Sequence, residues 1–340
     1  MSLTIEIIPY TLHFKKPAGT SRGAYLERKV WYLKLSNTNN PLHFGMGECA
    51  PLVNLSCDDI PNYAIVLSDM CTQYCQTGIL DYNSLRHYPS MLFGLESAIR
   101  NFEHPDSILW DTPFAHGKEG ITINGLIWMG NKKEMLQQVE QKLSAGFKCI
   151  KLKIGAIDFE EEINLLSHIR KHYTAKEIEL RVDANGAFTP KEAFTKLERL
   201  AALDLHSIEQ PIAAGQLEEM TKLCASSPLP IALDEELIDI TTYLDKQTLL
   251  KTINPQYIIL KPSLHGGIHG CTEWIDCANQ LNIDWWITSA LESNIGLNVI
   301  AQWCASLQPT LPQGLGTGML YKNNIESSLI INKHALWIKK

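Results

Sequence analysis

Residues 148–155, KCIKLKIG, and residues 178–186, IELRVDANG, are short apolar runs that each carry charge at their ends. In the first, Ile150, Leu152 and Ile154 alternate with Lys151 and Lys153, so a strand here puts both ammonium groups on one face and three aliphatic side chains on the other. Runs of similar texture recur at 121–129 (ITINGLIWM), 205–212 (LHSIEQPI), 229–236 (LPIALDEE), 256–263 (QYIILKPS), 283–290 (IDWWITSA) and, more weakly, 310–318 (TLPQGLGTG). Between them lie amphipathic stretches such as KKEMLQQVEQKLSAGF (132–147) and PKEAFTKLERLAAL (190–203), with apolar residues three and four apart. Eight strand candidates alternating with helices predict an α/β chain of parallel βα units. Their number favours a closed (β/α)8 barrel over an open doubly wound sheet.

The residues before this series read differently. TIEIIPYTLHF (4–14) and KVWYLKLS (29–36) are rich in β-branched and aromatic side chains, and NTNNP (37–41) has turn chemistry, so an antiparallel sheet is expected. Residues 59–76 and 90–102 carry helical spacing, and 104–120 is a connection rich in Pro, Gly and Asp. The chain therefore divides into an α+β domain over 1–118 and a barrel over 119–319. The final strand-like segment, LIINKHALWIKK, within 320–340, is expected to return to the first domain.

Composition narrows the function. The chain has 340 residues, 45% of them apolar, a net charge of -7 and no basic run, which argues against a nucleic-acid partner. No segment is apolar for the ~18 residues that a membrane helix needs, and the start lacks the order of a signal peptide, so a cytoplasmic protein is expected. Nine cysteines without paired spacing read as reduced, mostly buried thiols. The Gly-x-Gly steps of GMGECAP and GLGTG lack the full dinucleotide fingerprint and read as turns.

Lys153, Asp183, Glu209, Asp234 and Lys261 each stand at or just past the end of an apolar run, at intervals of 30, 26, 25 and 27 residues, the length of one βα unit. In a closed barrel those strand ends converge on one mouth. Three carboxylates brought together there would raise one another's pKa unless a cation joined them. An all-oxygen set favours Mg2+, with Mn2+ as a substitute, over zinc. His265 and His269, in a Gly-rich loop, read as loop or helix-cap residues. A lysine acting as a base near neutrality must fall from ~10.4 to about 7–8, or about 4 kcal/mol. One like charge at ~4 Å supplies about that at an effective dielectric near 20. Lys151, Arg181 and the metal are the candidate sources.

The ordered motifs GMGECAPL, KLK, RVDANGAF, IEQPI, ALDEE, LKPS and TSALESNIG span essentially the whole chain and resemble the enolase superfamily, muconate-lactonizing subgroup. The resemblance implies an enolase-type modified TIM barrel under an N-terminal capping domain, whose loops near 20–25 and 51–54 close over the mouth. It implies Asp183, Glu209 and Asp234 as Mg2+ ligands, with Lys153 and Lys261 on opposite faces of a small carboxylate substrate. INGLIWMG, GFKCIKLKIG and IEQPIAAGQ are most similar to dehydratases of menaquinone biosynthesis, in which Lys153 would take the α proton and return it to the leaving hydroxyl while Lys261 steadies the anion as a cation. N-acylamino-acid racemases and dipeptide epimerases of the same subgroup are the alternative. The epimerases carry an Asp-x-Asp where this chain reads GLGTGMLY. A non-catalytic barrel scaffold is the remote alternative.

Further site candidates are Ser289, Asn294 and Ile295, where a helix start could receive a second substrate carboxylate. Asn185 and Glu235 adjoin the ligands, and Arg22 is the guanidinium of the proposed lid loop. Oligomeric state is not legible.

Overall fold

Three long strands open the chain: β1 (Leu3–Thr20), β2 (Gly23–Asn37) and β3 (Asn40–Cys49) pair antiparallel in that order. They belong to a computed structural model that describes residues 3–20, 23–128 and 130–340. The NTNNP turn falls between β2 and β3, where the Asn37 side chain accepts the Asn39 N–H at 2.9 Å. Helices α1 (Tyr63–Thr77), α2 (Tyr82–Leu85) and α3 (Pro89–Glu103) follow. Leu33, Leu35 and Cys49 of the sheet share a core with Leu67, Met91, Leu92, Leu95 and Ala98. The Gly-x-Gly of GMGECAP is not a turn. It lies inside β3, where a Cβ on Gly47 would stand 2.0 Å from the Gly94 carbonyl oxygen, so only glycine lets α3 pack this close.

The segment ITINGLIWM splits into β4 (Ile121–Thr122) and β5 (Gly125–Ile127). From there strands and helices alternate: α4 (Lys132–Ser144), β6 (Cys149–Lys153), α5 (Phe159–His172), β7 (Glu179–Asp183), α6 (Pro190–Ala201), β8 (Ser207–Glu209) and α7 (Leu217–Ser226). β9 (Ile231–Leu233), α8 (Tyr243–Ile253), β10 (Tyr257–Leu260), α9 (Gly267–Gln280), β11 (Asp284–Ile287) and α10 (Asn294–Ser306) complete the series. β5 to β11 lie side by side in chain order, and every pair is parallel.

The sheet closes through single bridges, with Gln313 pairing Ile123 and Gly314 pairing Thr288. The Gly314 N–H donates to the Ile287 carbonyl at 2.8 Å and the Asn124 N–H to the Gln313 carbonyl at 3.0 Å. The weak eighth run is thus the eighth stave, and no helix follows it among the described residues.

Ile150, Leu152, Leu180, Val182, Ile208, Leu233 and Ile258 face outward into one large core with helix residues such as Leu166, Leu197, Met220 and Trp274. Each such side chain contributes about 1.5–3 kcal/mol on burial. Alternation sends Lys151, Lys153, Asp183 and Glu209 inward, while Ala232, Ile259 and Trp286 form a separate apolar cluster within the barrel.

Beyond the barrel, residues 320–323 lie along β1: the Lys15 N–H donates to Leu320 and the Lys322 N–H to His13, each at 2.8 Å. LIINKHALWIKK departs from its expected course. It forms the hairpin β12 (Leu329–Asn332) and β13 (Ala335–Ile338), which pairs with β4 rather than with the N-terminal sheet. None of the nine cysteines is in a disulfide. Among the described residues no helix is long and apolar enough to cross a membrane.

Candidate active site

Parallel register sets the charged residues in a row: Lys153 is the Cα partner of Asp183, and Asp183 of Glu209. Asp234 and Lys261 immediately follow the last residues of β9 and β10. Counting β5 as the first stave, Lys153 stands on the second and Lys261 on the sixth of eight, half a turn apart around the cylinder. The three acids stand on the staves between them.

The side chains meet as the strand ends dictate. Lys151 is 3.0 Å from Asp183 Oδ2 and also donates to Glu209 Oε2. Lys153 donates to Asp183 Oδ2 at 3.0 Å and to Asn185 Oδ1 at 2.6 Å, and Lys261 pairs with Asp234. Asn185 Nδ2 donates to Glu235 Oε1 at 3.0 Å, so both residues expected beside the ligands reach the site.

Burial alone would lower the pKa of Lys151 and of Lys261. The Asp183 and Glu209 charges around Lys151, and chiefly Asp234 beside Lys261, more than offset it and hold both ammonium groups above the ordinary lysine value. Burial opposes ionisation of Asp183, but Lys151 and Lys153 hold its carboxyl below the usual range. Glu209 is the reverse: burial, reinforced by Asp183, pushes its carboxyl well up. Burial and then Asp234 raise Glu235 to about 7.

These acids fit a hard divalent cation. Glu209 Oε1, Asp234 Oδ1 and Glu235 Oε2 are buried without a hydrogen-bond partner, a costly condition for carboxylate oxygens. Among the described residues no three metal-ligating side chains are already gathered around one point, since Lys151 and Lys261 occupy positions among the acids. The donor set is oxygen only, as a divalent metal of the Mg2+ type requires. His265 stands behind it, its Nδ1 accepting the Lys261 N–H at 3.0 Å, and His269 stacks on Tyr82 with ring centroids 4.2 Å apart.

Four expected contacts require revision. Arg181 does not face Lys153: it lies one layer deeper, donating to Glu179 at 2.7 Å and to the Pro312 carbonyl at 3.0 Å, with its guanidinium 4.2 Å from the Trp286 ring centroid. Lys151, its Cα partner at the same depth, reaches up to the acids, whereas Glu179, Pro312 and Trp286 hold the Arg181 side chain away from them. Ser289 donates to Glu292 at 2.6 Å. Asn294 is tied to the 324–325 segment through Asn324 and Ile325, and Ile295 packs against the apolar cluster beneath the first domain. The start of α10 is already taken by an acid from β3: Glu48 accepts the Ser293 N–H at 2.8 Å, the Ser293 hydroxyl at 2.6 Å and the Gly296 N–H at 2.8 Å. Arg22 lies outside the described residues.

Glu48 was missed because one acid in a strand reads as a solvated face. Arg28, likewise unforeseen, is buried and donates to the carbonyls of Ala50 and Ala290, joining the sheet to the barrel mouth. The two expected lid loops also touch, the Tyr25 hydroxyl donating to the Val53 carbonyl at 2.8 Å.

A capped barrel with three acids and two opposed lysines at its mouth has the architecture of an enzyme of the enolase type. The family model described as enolase C-terminal domain-like matches residues 134–333, and the chain belongs to that family. The chain is 43% identical to o-succinylbenzoate synthase of Desulfotalea psychrophila, over 94% of this chain and 95% of that one. It is 28% identical to L-Ala-D/L-Glu epimerase of Bacillus subtilis, over 52% of this chain and 48% of that protein. Its fold superposes on the crystal structure of MenC from Desulfotalea psychrophila with a TM-score of 0.84 and 38% identity, covering 99% of this chain and 100% of that one. Muconate lactonizing enzyme from Pseudomonas putida shares the fold, with a TM-score of 0.78 and 19% identity, over 98% of this chain and 93% of that one.

Proposed function

We propose that this chain is an o-succinylbenzoate synthase, a hydro-lyase that removes water from 2-succinyl-6-hydroxy-2,4-cyclohexadiene-1-carboxylate to give 2-succinylbenzoate in menaquinone biosynthesis. The observation that carries this is the opposition of Lys153 and Lys261 across an arc of three buried acids. The extent of similarity to the Desulfotalea enzyme supports the particular reaction.

Asp183, Glu209 and Asp234 would hold Mg2+, or Mn2+ in its place, which when bound supplies positive charge against the negative charge that develops on the substrate carboxylate. Lys153, as the free amine, takes the proton α to that carboxylate. The electron pair of the broken C–H bond passes into the conjugated carboxylate and ring, then expels the β-hydroxyl. Lys153 returns its proton to that oxygen, so water leaves from the same face and the ring becomes aromatic. Lys261 stays an ammonium on the opposite face, as its pairing with Asp234 favours. Asn185 fixes the Lys153 amine laterally and is itself held by Glu235.

The mouth argues against a peptide substrate: the eighth stave, Gly314-Leu315-Gly316-Thr317-Gly318, offers no acid to a substrate ammonium. We assign residues 1–118 to the cap and 119–319 to the catalytic barrel, with 320–340 completing both, and place the enzyme in the cytoplasm.

Incubation with Mg2+ and the cyclohexadiene substrate in deuterated water, beside N-succinyl amino acids, tests the reading. Formation of the aromatic product is the expected result. Rapid α-deuterium exchange into the amino acids with no dehydration would transfer the assignment to the racemases.

A further inference from the structure

The barrel is weakest where its first and seventh strands meet the eighth stave, because single bridges replace a ladder there. Lys261 stands two staves from the eighth, at the start of the turn Lys261-Pro262-Ser263. A fully buried acid, Glu292, joins that turn to the loop after the seventh stave. Glu292 Oε1 accepts the Ser263 hydroxyl at 2.5 Å and Oε2 accepts the Ser289 hydroxyl at 2.6 Å, while Thr317 Oγ1 donates to Ser289 Oγ at 2.8 Å. The carboxylate thus ties the turn after the sixth stave to the loop after the seventh, and Ser289 carries the link on to Thr317 of the eighth. It is not a helix cap, since Ser293 is the N-cap of α10 and Glu48 already accepts the N–H groups of Ser293 and Gly296. Space is reserved for it: a Cβ on Gly296 would meet Glu292 Cβ at 3.0 Å.

The adjoining backbone is strained to the same end. Leu291 has φ +67, a left-handed conformation unfavourable for leucine, and is held there by the Tyr321 hydroxyl on its carbonyl at 2.5 Å and by its own N–H on Ser289 Oγ at 3.1 Å. That conformation aims Glu292 back across the mouth instead of along α10.

We propose that Glu292 is a positioning residue for Lys261: by clamping Ser263 to Ser289, it holds the turn that carries the ammonium opposite Lys153. This rests on the two-lysine reading above. An ionised carboxylate suits the task because it accepts from both hydroxyls. An amide also serves, accepting from one serine and donating to the oxygen of the other.

The test compares Glu292→Ala, Glu292→Gln and Ser263→Ala with wild type, all loaded with Mg2+, for turnover of the cyclohexadiene substrate and for backbone hydrogen exchange. Misplacing a catalytic group by about 1 Å costs on the order of 100-fold, so Glu292→Ala should lose about 10- to 100-fold in kcat with KM within about threefold. Glu292→Gln should recover to within about threefold of wild type, and Ser263→Ala should fall in the same direction as the alanine variant. Exchange should quicken at residues 261–267 and not at 183–189. The proposal is overturned if kcat holds while KM rises, if the glutamine variant is as slow as the alanine one, or if exchange quickens uniformly. Should Glu292→Ala fail to fold, an unchanged kcat in Ser263→Ala overturns it instead. Failure of wild type to dehydrate the substrate would refute the functional reading separately, and the exchange comparison would still decide the clamp.

Discussion

Replacing Glu48 by alanine probes how the cap is fastened to the barrel. Its buried carboxylate accepts three hydrogen bonds from the start of α10, two of them from backbone N–H groups of Ser293 and Gly296. Truncation leaves those two buried donors unmatched at about 1–3 kcal/mol each, partly offset because a buried acid no longer has to be desolvated, for a net loss of about 3 kcal/mol. At about 2.1 cal/mol/K per residue, 340 residues give an unfolding entropy of about 0.7 kcal/mol/K, so Tm should fall by about 4 °C. Glu48→Gln keeps one acceptor and should fall by about half as much. Scanning calorimetry on metal-free protein measures this directly. A fall under about 1 °C in the alanine variant, or equal falls in both, would show that the helix start does not depend on this acid.

Other perturbations reach different parts of the molecule. Glu96 of α3 accepts the Ile268 and His269 N–H groups at 2.6 and 2.9 Å, and burial raises its carboxyl to about 8. Because the folded form holds this proton more tightly than the unfolded chain, Glu96 should cost stability progressively as pH rises from about 4.5 to about 8, by at most about 5 kcal/mol. Glu96→Gln should flatten that part of the Tm-against-pH curve, and a parallel curve would count against the raised value. Mg2+ at about 100 times its Kd should stabilise wild type by about 2.7 kcal/mol, or about 4 °C on the same entropy, and Glu209→Gln should lose that increment. An undiminished metal-dependent shift in the variant would remove Glu209 from the ligand set.

That the candidate site residues would meet was legible because they repeat. Lys153, Asp183, Glu209, Asp234 and Lys261 recur at the period of one βα unit, and the alternation in KLK sends Lys151 and Lys153 inward with the acids. What escaped depends on partners remote in sequence. Glu48 meets Ser293 across 245 residues, and no local pattern marks a strand acid as the mate of a helix start. Ser289 resembled a free donor because Glu292, only three residues on, turns back through the left-handed Leu291. Arg181 shares strand parity with Asp183, but its partners Glu179 and Trp286 decide what it faces. The eighth stave read weakly because Gln313 and Gly314 contribute single bridges in place of a β-branched run.

The proposed mechanism rests on Lys153 as the base, and its removal is the most direct measurement: turnover of the cyclohexadiene substrate by Lys153→Ala, with Mg2+ affinity determined by calorimetry on the same preparation. The expected result is a loss of at least about 1,000-fold in kcat with metal affinity within about threefold of wild type. Turnover above about a tenth of wild type, with metal bound normally, would contradict the assignment of Lys153 as the base.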